Sequence, residues 1–263
     1  KAYADPLAGQ IVMDIRRPRR AGALLAGGLL GLAGAIAQGV FRNPLADPYL
    51  LGSASGASLG VALAMAALGT SPFALGALAR WGVTGAAFVG AVAAVILTLV
   101  LAKGVHNTMR LLLAGVIVGV VLGAASSLVL IRNPDIMQAM QSFMLGSTAF
   151  VGWNACALML WVLLPTLALA WSLSRVLDGL ALGEATAHSL GLPLGPLRLL
   201  LIVLLAMATG TAVAQTGLIA FVGLAAPHLV RSMVREMHRW LLVLSCLMGA
   251  VLLLDADLLT RRM

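Results

Sequence analysis

Groups able to do covalent or proton-transfer chemistry are few in this 263-residue chain, and they stand apart. His106, His188 and His228 fall on separate segments, with no H-E-x-x-H spacing to set two imidazoles on one helix face for a metal. No nucleophile–base pair is evident, and no G-x-x-x-x-G-K-[ST] loop is present to cradle a nucleotide phosphate. Cys156 and Cys246 each lie inside an apolar run, where a small buried side chain is the ordinary role of cysteine. The pattern predicts no catalytic residue, no metal site and no cofactor in this chain. It predicts work done by shape and movement.

The polar groups that remain gather in one stretch, Asp178 to Pro196, reading D-G-L-A-L-G-E-A-T-A-H-S-L-G-L-P-L-G-P between long apolar runs. Asp178 is placed to cap a helix, Glu184 to open a second short helical run, and Gly191 with Pro193 to stop it. Leu182, Thr186 and Leu190 at i, i+4 and i+8 form a mostly apolar stripe, and Glu184 and His188 share another face. An ordinary interfacial linker could carry this pattern. So could a folded knob that a membrane protein offers to a soluble partner.

Composition says what must hold that stretch. With 61% hydrophobic and 10% charged residues and a mean hydropathy of +1.04, the chain has more apolar surface than a soluble domain can hide. It reads as an all-α polytopic membrane protein, one transmembrane domain over residues 1–263 with the polar knob at 178–196. The 29 glycines suit close approach of helices in lipid. The net charge of +8 is spread over short loops and makes no basic face, which argues against nucleic acid as a partner. The chain starts at Lys1 with no Met and no signal-peptide pattern, so its beginning is expected to be trimmed or only partly ordered.

Eight apolar spans are expected: Ala21–Phe41, about Tyr49–Leu68, Trp81–Ala102, Leu111–Ile131, Trp153–Leu173, Leu197–Val213, Ala214–Arg231 and Trp240 to about Leu259. The seventh is interrupted by Gly217, Gly223 and Pro227, a way for a bundle to line a cavity. Pro44 and Pro48 exclude continuous helix before the second, whose first half carries the small residues Gly52, Ser53, Ser55, Gly56 and Ser58. A short helix from Pro134 to Leu145 is expected to pack through Met137, Met140 and Met144. Asp255 and Asp257 lie toward one end of the last span, so the mid-membrane carboxylate that an ion-coupled secondary transporter needs is missing.

Lysines and arginines should orient these spans, but they nearly balance. The side of the polar knob holds eight and the other nine, the latter including the cluster Arg16, Arg17, Arg19 and Arg20. Without that cluster the count is eight against five, which places the knob in the cytoplasm. The cluster then needs its own reason to stand outside, and an acidic partner there would supply one.

The run Arg42 to Gly56, R-N-P-L-A-D-P-Y-L-L-G-S-A-S-G, resembles the signature of bacterial permeases that import iron–siderophores, haem and cobalamin, the membrane subunits of ATP-binding-cassette importers of the second type. I-R-R-P-R at Ile15–Arg19, R-L-L-L-A-G at Arg110–Gly115, L-G-E-A-T-A-H-S-L-G-L-P at Leu182–Pro193, G-L-I-A-F-V-G-L-A-A-P-H-L-V-R at Gly217–Arg231 and A-D-L-L-T-R at Ala256–Arg261 extend the resemblance over the whole chain.

The resemblance implies a ten-span subunit in the bacterial inner membrane, working as a homodimer around a central path. Two ATPase subunits, which carry ATP and Mg, would sit below and a periplasmic binding protein above. It implies that Leu182, Gly183, Glu184, Thr186, Leu190 and Gly191 contact the ATPase, and that Arg16 and Arg19 receive glutamates of the binding protein. Path and gate residues would be Asn43, Pro44, Leu45, Gly52, Ser53, Asn107, Thr108 and Met109. Haem is the first expectation for cargo, with a ferric siderophore or cobalamin as alternatives. The chain departs from the pattern in two ways. Eight spans rather than ten leaves the family's first and last outside this stretch, and Asp255 stands where the family has an apolar residue beside the expected Asp257. An i, i+4 pair of Asp257 with Arg261 is the default for that carboxylate.

Overall fold

The computed structural model describes residues 12–68, 76–183, 187, 193–234 and 237–260, with backbone alone for 76–80. A π-helical turn, Val12–Arg16, runs into α1 (Arg17–Phe41), followed by α2 (Ser53–Leu68), α3 (Gly76–Leu101) and α4 (Thr108–Arg132). The short α5 (Met137–Leu145) leads to α6 (Trp153–Ser172) and α7 (Ser174–Ala181), then α8 (Leu194–Thr216), α9 (Val222–Met233) and α10 (His238–Leu259). Among the described residues six helices are long and apolar enough to cross a bilayer, whereas α2 has 16 residues and α9 only 12. Of the eight expected spans, six are thus helices of crossing length and two are shorter helices. At 1.5 Å per residue the 12 residues of α9 reach about 18 Å, some three-fifths of a ~30 Å hydrocarbon layer.

Helix α1 is the axis of the bundle, with 89% of its apolar window buried against α6, α8, α9 and α10. The cause is its glycines. Apolar side chains gain little from one another over lipid, so helices associate in a membrane where small residues let backbones touch. A Cβ on Gly27 would collide with the Gly249 carbonyl and one on Gly31 with the Ser245 carbonyl, so α1 and α10 lie backbone to backbone. Gly56 and Gly60 meet Gly90 and Ala86 in the same manner where α2 crosses α3. By contrast α3, α4 and α6 turn most of their surface outward, only 28%, 22% and 28% of their windows being buried. Their exposed Val89, Val120 and Trp161 suit lipid or a second apolar surface.

Several boundaries differ from the expectation. The second span begins at Ser53, not Tyr49, because two side chains close turns first: Asn43 Oδ1 accepts from Leu45 N at 2.9 Å and Asp47 Oδ1 from Tyr49 N at 2.7 Å. Gly52 at φ +79° then re-aims the chain into α2. The seventh span breaks between Gly217 (φ +72°) and Phe221 (φ +68°), but not at Gly223 or Pro227, which lie inside α9. Pro227 removes the donor that Gly223 O would use. That carbonyl faces Gly34 of α1, where a side chain would strike it. The groups freed by the break find partners elsewhere: Ser147 N donates to Thr216 O at 2.7 Å, Leu218 N to Phe143 O at 3.0 Å and the Tyr49 hydroxyl to Ile219 O at 3.2 Å. The methionine stripe divides, since Met140 is buried against α2 while Met137 and Met144 face outward.

Candidate coupling and gating site

One end of the bundle collects the C-termini of α1, α3 and α9, the N-termini of α4, α8 and α10, and α7 with its following turn. Helix α7 lies along this end with Val176, Leu177 and Leu180 buried, and it stops at Leu182 and Gly183, the latter at φ +106°. Leu182 is exposed, in a position to meet another molecule. Glu184, Thr186, His188, Leu190 and Gly191 lie outside the described residues, and with them the second short helical run.

Asp178 does not cap the helix it was expected to open. It sits inside α7 and caps α10 instead: one carboxylate oxygen accepts from His238 N at 3.1 Å and contacts His238 Nδ1 at 2.7 Å. The positive end of α10 makes this a favourable place for a carboxylate. The His238 ring also lies against Gly39 of α1, beside Leu177. Next to it the buried Gln38 donates to Leu224 O at 3.3 Å and accepts from Arg231 Nη1 at 3.0 Å, tying α1 to α9. Arg239 covers the Trp171 ring at 4.3 Å, anchoring α10 to the end of α6.

The two expected gate segments belong to this same end. Asn43 and Leu45 are exposed in the turn after α1, and burial of Asp47 in that turn raises its carboxyl above the ordinary value against the lowering pull of the Tyr49 N–H. Asn107 caps α4, its Oδ1 accepting from Arg110 N at 3.0 Å, and Met109 projects outward on the first turn. The segments are joined by packing, because Leu50 O fills the space where Gly115 of α4 would carry a side chain. Gly52 lies against Val118 and Gly119, and Ser53 is buried. Gly52 thus holds the start of α2 to α4.

At the opposite end the arginine cluster divides. Arg16, Arg17 and Arg20 are exposed, whereas Arg19 is held by the buried Asp257, with Nε and Nη2 each 2.8 Å from Oδ1. Thr148 Oγ1 donates to the same oxygen at 2.5 Å. This carboxylate fastens the start of α1, the loop before α6 and the end of α10. The expected i, i+4 partner, Arg261, lies outside the described residues, while Asp255 is exposed. Trp153 Nε1 donates to Met13 O at 3.1 Å, adding a second tie to the segment that carries Arg16.

Distant pairs such as Asp178–His238 and Arg19–Asp257 leave one mark in the sequence, a charged or polar residue at the edge of an apolar run. Among the described residues no group of three His, Cys, Asp or Glu is arranged to hold a metal.

The model of the FecCD transport family matches residues 1–263. The chain belongs to that family. It is 40% identical over 256 residues to the hemin transport system permease protein HmuU of Yersinia pestis, covering 95% of this chain and 75% of that one. It is 39% identical over 252 residues to the vitamin B12 import system permease protein BtuC of Salmonella paratyphi A, again with 95% and 75% covered. A solved inward-facing structure of a putative metal-chelate type ABC transporter superposes with a TM-score of 0.88 at 30% identity, covering 98% of this chain and 81% of that one. The FecCD chain described here is thus a multi-pass inner-membrane permease subunit of an ABC importer, a transport component without catalysis of its own. ATPase and binding-protein partners are implied by the family.

Proposed function

We propose that this subunit passes haem from a periplasmic binding protein to the cytoplasm, as half of a homodimer driven by two ATPase subunits. The observation that carries the cargo assignment is the 40% identity to a hemin permease across nearly the whole chain. A vitamin B12 permease stands at 39%, so cobalamin is the second reading, with a ferric siderophore a third within the family. An ion-coupled mechanism finds no support, since Asp255 is exposed at one end and Asp257 is engaged by Arg19.

In this reading ATP-driven closure of the ATPase pair moves the turn after α7, through Leu182, Gly183, Glu184, Thr186, Leu190 and Gly191. The two subunits rock between outward- and inward-facing states. Asn43, Pro44 and Leu45, with Asn107, Thr108 and Met109, close the cytoplasmic end of the path. Gly52 and Ser53, small residues at the start of α2, line the path beside these gates. The test is uptake into liposomes by the subunit reconstituted with its ATPase, with loaded binding protein offering haem, cobalamin or a ferric siderophore. Uptake of haem that requires both ATP and the binding protein is expected. Uptake of another cargo alone overturns the haem assignment, and uptake driven by an ion gradient without ATP overturns the mechanism. In the same assay Glu184→Arg is expected to abolish uptake or ATPase assembly, and normal uptake would remove Glu184 from the contact.

The docking of the binding protein falls on Arg16 more cleanly than on Arg19. Reversal of an exposed rim charge changes encounter more than contact energy. Arg16→Glu is therefore expected to slow docking several-fold at low salt, with the difference shrinking as salt rises. Equal association rates for variant and parent at low salt would exclude Arg16.

A further inference from the structure

The segment between α3 and α4, residues 102–107, ends at the Asn107–Met109 turn and is sharply folded. Lys103 and Gly104 are both left-handed, at φ +55° and +99°. It is held from outside by the first turn of α8. Arg198, only 3% exposed and one turn into α8, donates from Nη1 to Val105 O at 2.8 Å. Beside it the His106 ring lies against Gly195, where an added Cβ would stand 3.0 Å from Cε1. The fixed fork of the Arg198 guanidinium gives a directional link between two backbones, which an aliphatic side chain in that place would lack. On the other side of the turn that follows α7, Asp178 binds α7 to the start of α10. Helix α7 is thus anchored on one side of that turn, and α8 is linked to the segment before the gate on the other.

We propose that Arg198 is a positioning residue that transmits movement of the α8 N-terminus to the Asn107–Met109 turn, so that the gate follows the ATPase. This rests on the reading that the ATPase binds between α7 and α8 and that the turn closes the path. Rigid links of this kind, a packed backbone plus a charge-assisted bond, are how a displacement at one site biases another.

The experiment uses Met109→Cys, exposed on the first turn of α4, as reporter in the full complex with the ATPase. Cys156 and Cys246 are buried and give little background to a membrane-impermeant maleimide. With Arg198 intact, ATP is expected to change the labelling rate of the introduced thiol. With Arg198→Met, in complexes that still co-purify with the ATPase, that ATP-induced change is expected to fall at least about threefold. Arg198→Gln, whose shorter side chain withdraws the donor from Val105 O, is expected to do the same and serves if the methionine variant does not assemble. An undiminished response in an assembled variant overturns the role of Arg198 alone. A parent complex whose labelling ignores ATP overturns the gating reading on which it rests.

Discussion

Replacing Gly31 by leucine is expected to leave almost no folded protein. Gly31 stands halfway along α1 where a side chain would collide with the Ser245 carbonyl and then with Gly249 Cα. Both obstacles are backbone, so no rotamer change relieves them, and α1 and α10 must move apart. Extra methylenes forced into a packed interior cost about 1–3 kcal/mol where side chains can adjust. Here the separation also forfeits contacts at Gly27 and Gly28 on the same helix, so the loss should exceed about 3 kcal/mol of a total near 5–15. The check is the yield of monodisperse protein in detergent and its thermal midpoint. Gly82→Ala is the control: nothing lies within 4 Å of a methyl there, and alanine favours helix by about 0.8–1 kcal/mol. If Gly31→Leu matched Gly82→Ala in yield and midpoint, the close α1–α10 contact would be wrong.

The glycines show what a single sequence conveys about this fold. Their number and the apolar runs identified a polytopic helical bundle, and Gly217 marked the break before α9. Neither signal says which helix pairs with which, because contact between residues 27 and 249 is a property of the bundle and leaves no local trace. The polar stretch after Asp178 stood out because charge is conspicuous between apolar spans. Its first residue was assigned the wrong helix, since a carboxylate caps any helix N-terminus within reach and α10 begins beside it. Local turn chemistry misled in the same direction at the second span. The Asx turns at Asn43 and Asp47 delay the helix to Ser53, although the apolar pattern runs on from Tyr49. Pro227 predicts a break, yet it lies inside α9, and the Gly223 carbonyl that it leaves without its usual donor faces Gly34 of α1.

The same long-range blindness governs the arginine end, where Asp257→Ala is expected to be the most damaging change outside the glycine contacts. The Asp257 side chain is 3% exposed and that of Arg19 25%. Alanine leaves the guanidinium and the Thr148 hydroxyl facing an empty acceptor site. Breaking a buried ion pair from one side costs about 3–5 kcal/mol. Partial exposure of Arg19 lets water relieve some of that, so about 2–3 kcal/mol is expected in thermal or denaturant unfolding. Asp257→Asn keeps an oxygen for both donors and should lose less. Adding Arg19→Met to Asp257→Ala should recover part of the loss, because the guanidinium left facing the vacated site is removed with it; a strictly additive double mutant would show that the two residues do not act as a pair. This cycle also separates two roles within one cluster. If Arg19 works through Asp257, its loss lowers stability at every salt concentration, whereas reversing Arg16 alters only the salt-dependent encounter with the binding protein. A charge reversal at Arg19 would set two carboxylates against each other at the start of α1. Weakened docking in such a variant reports a missing contact only where its thermal midpoint matches the parent's, and a loosened helix where the midpoint falls.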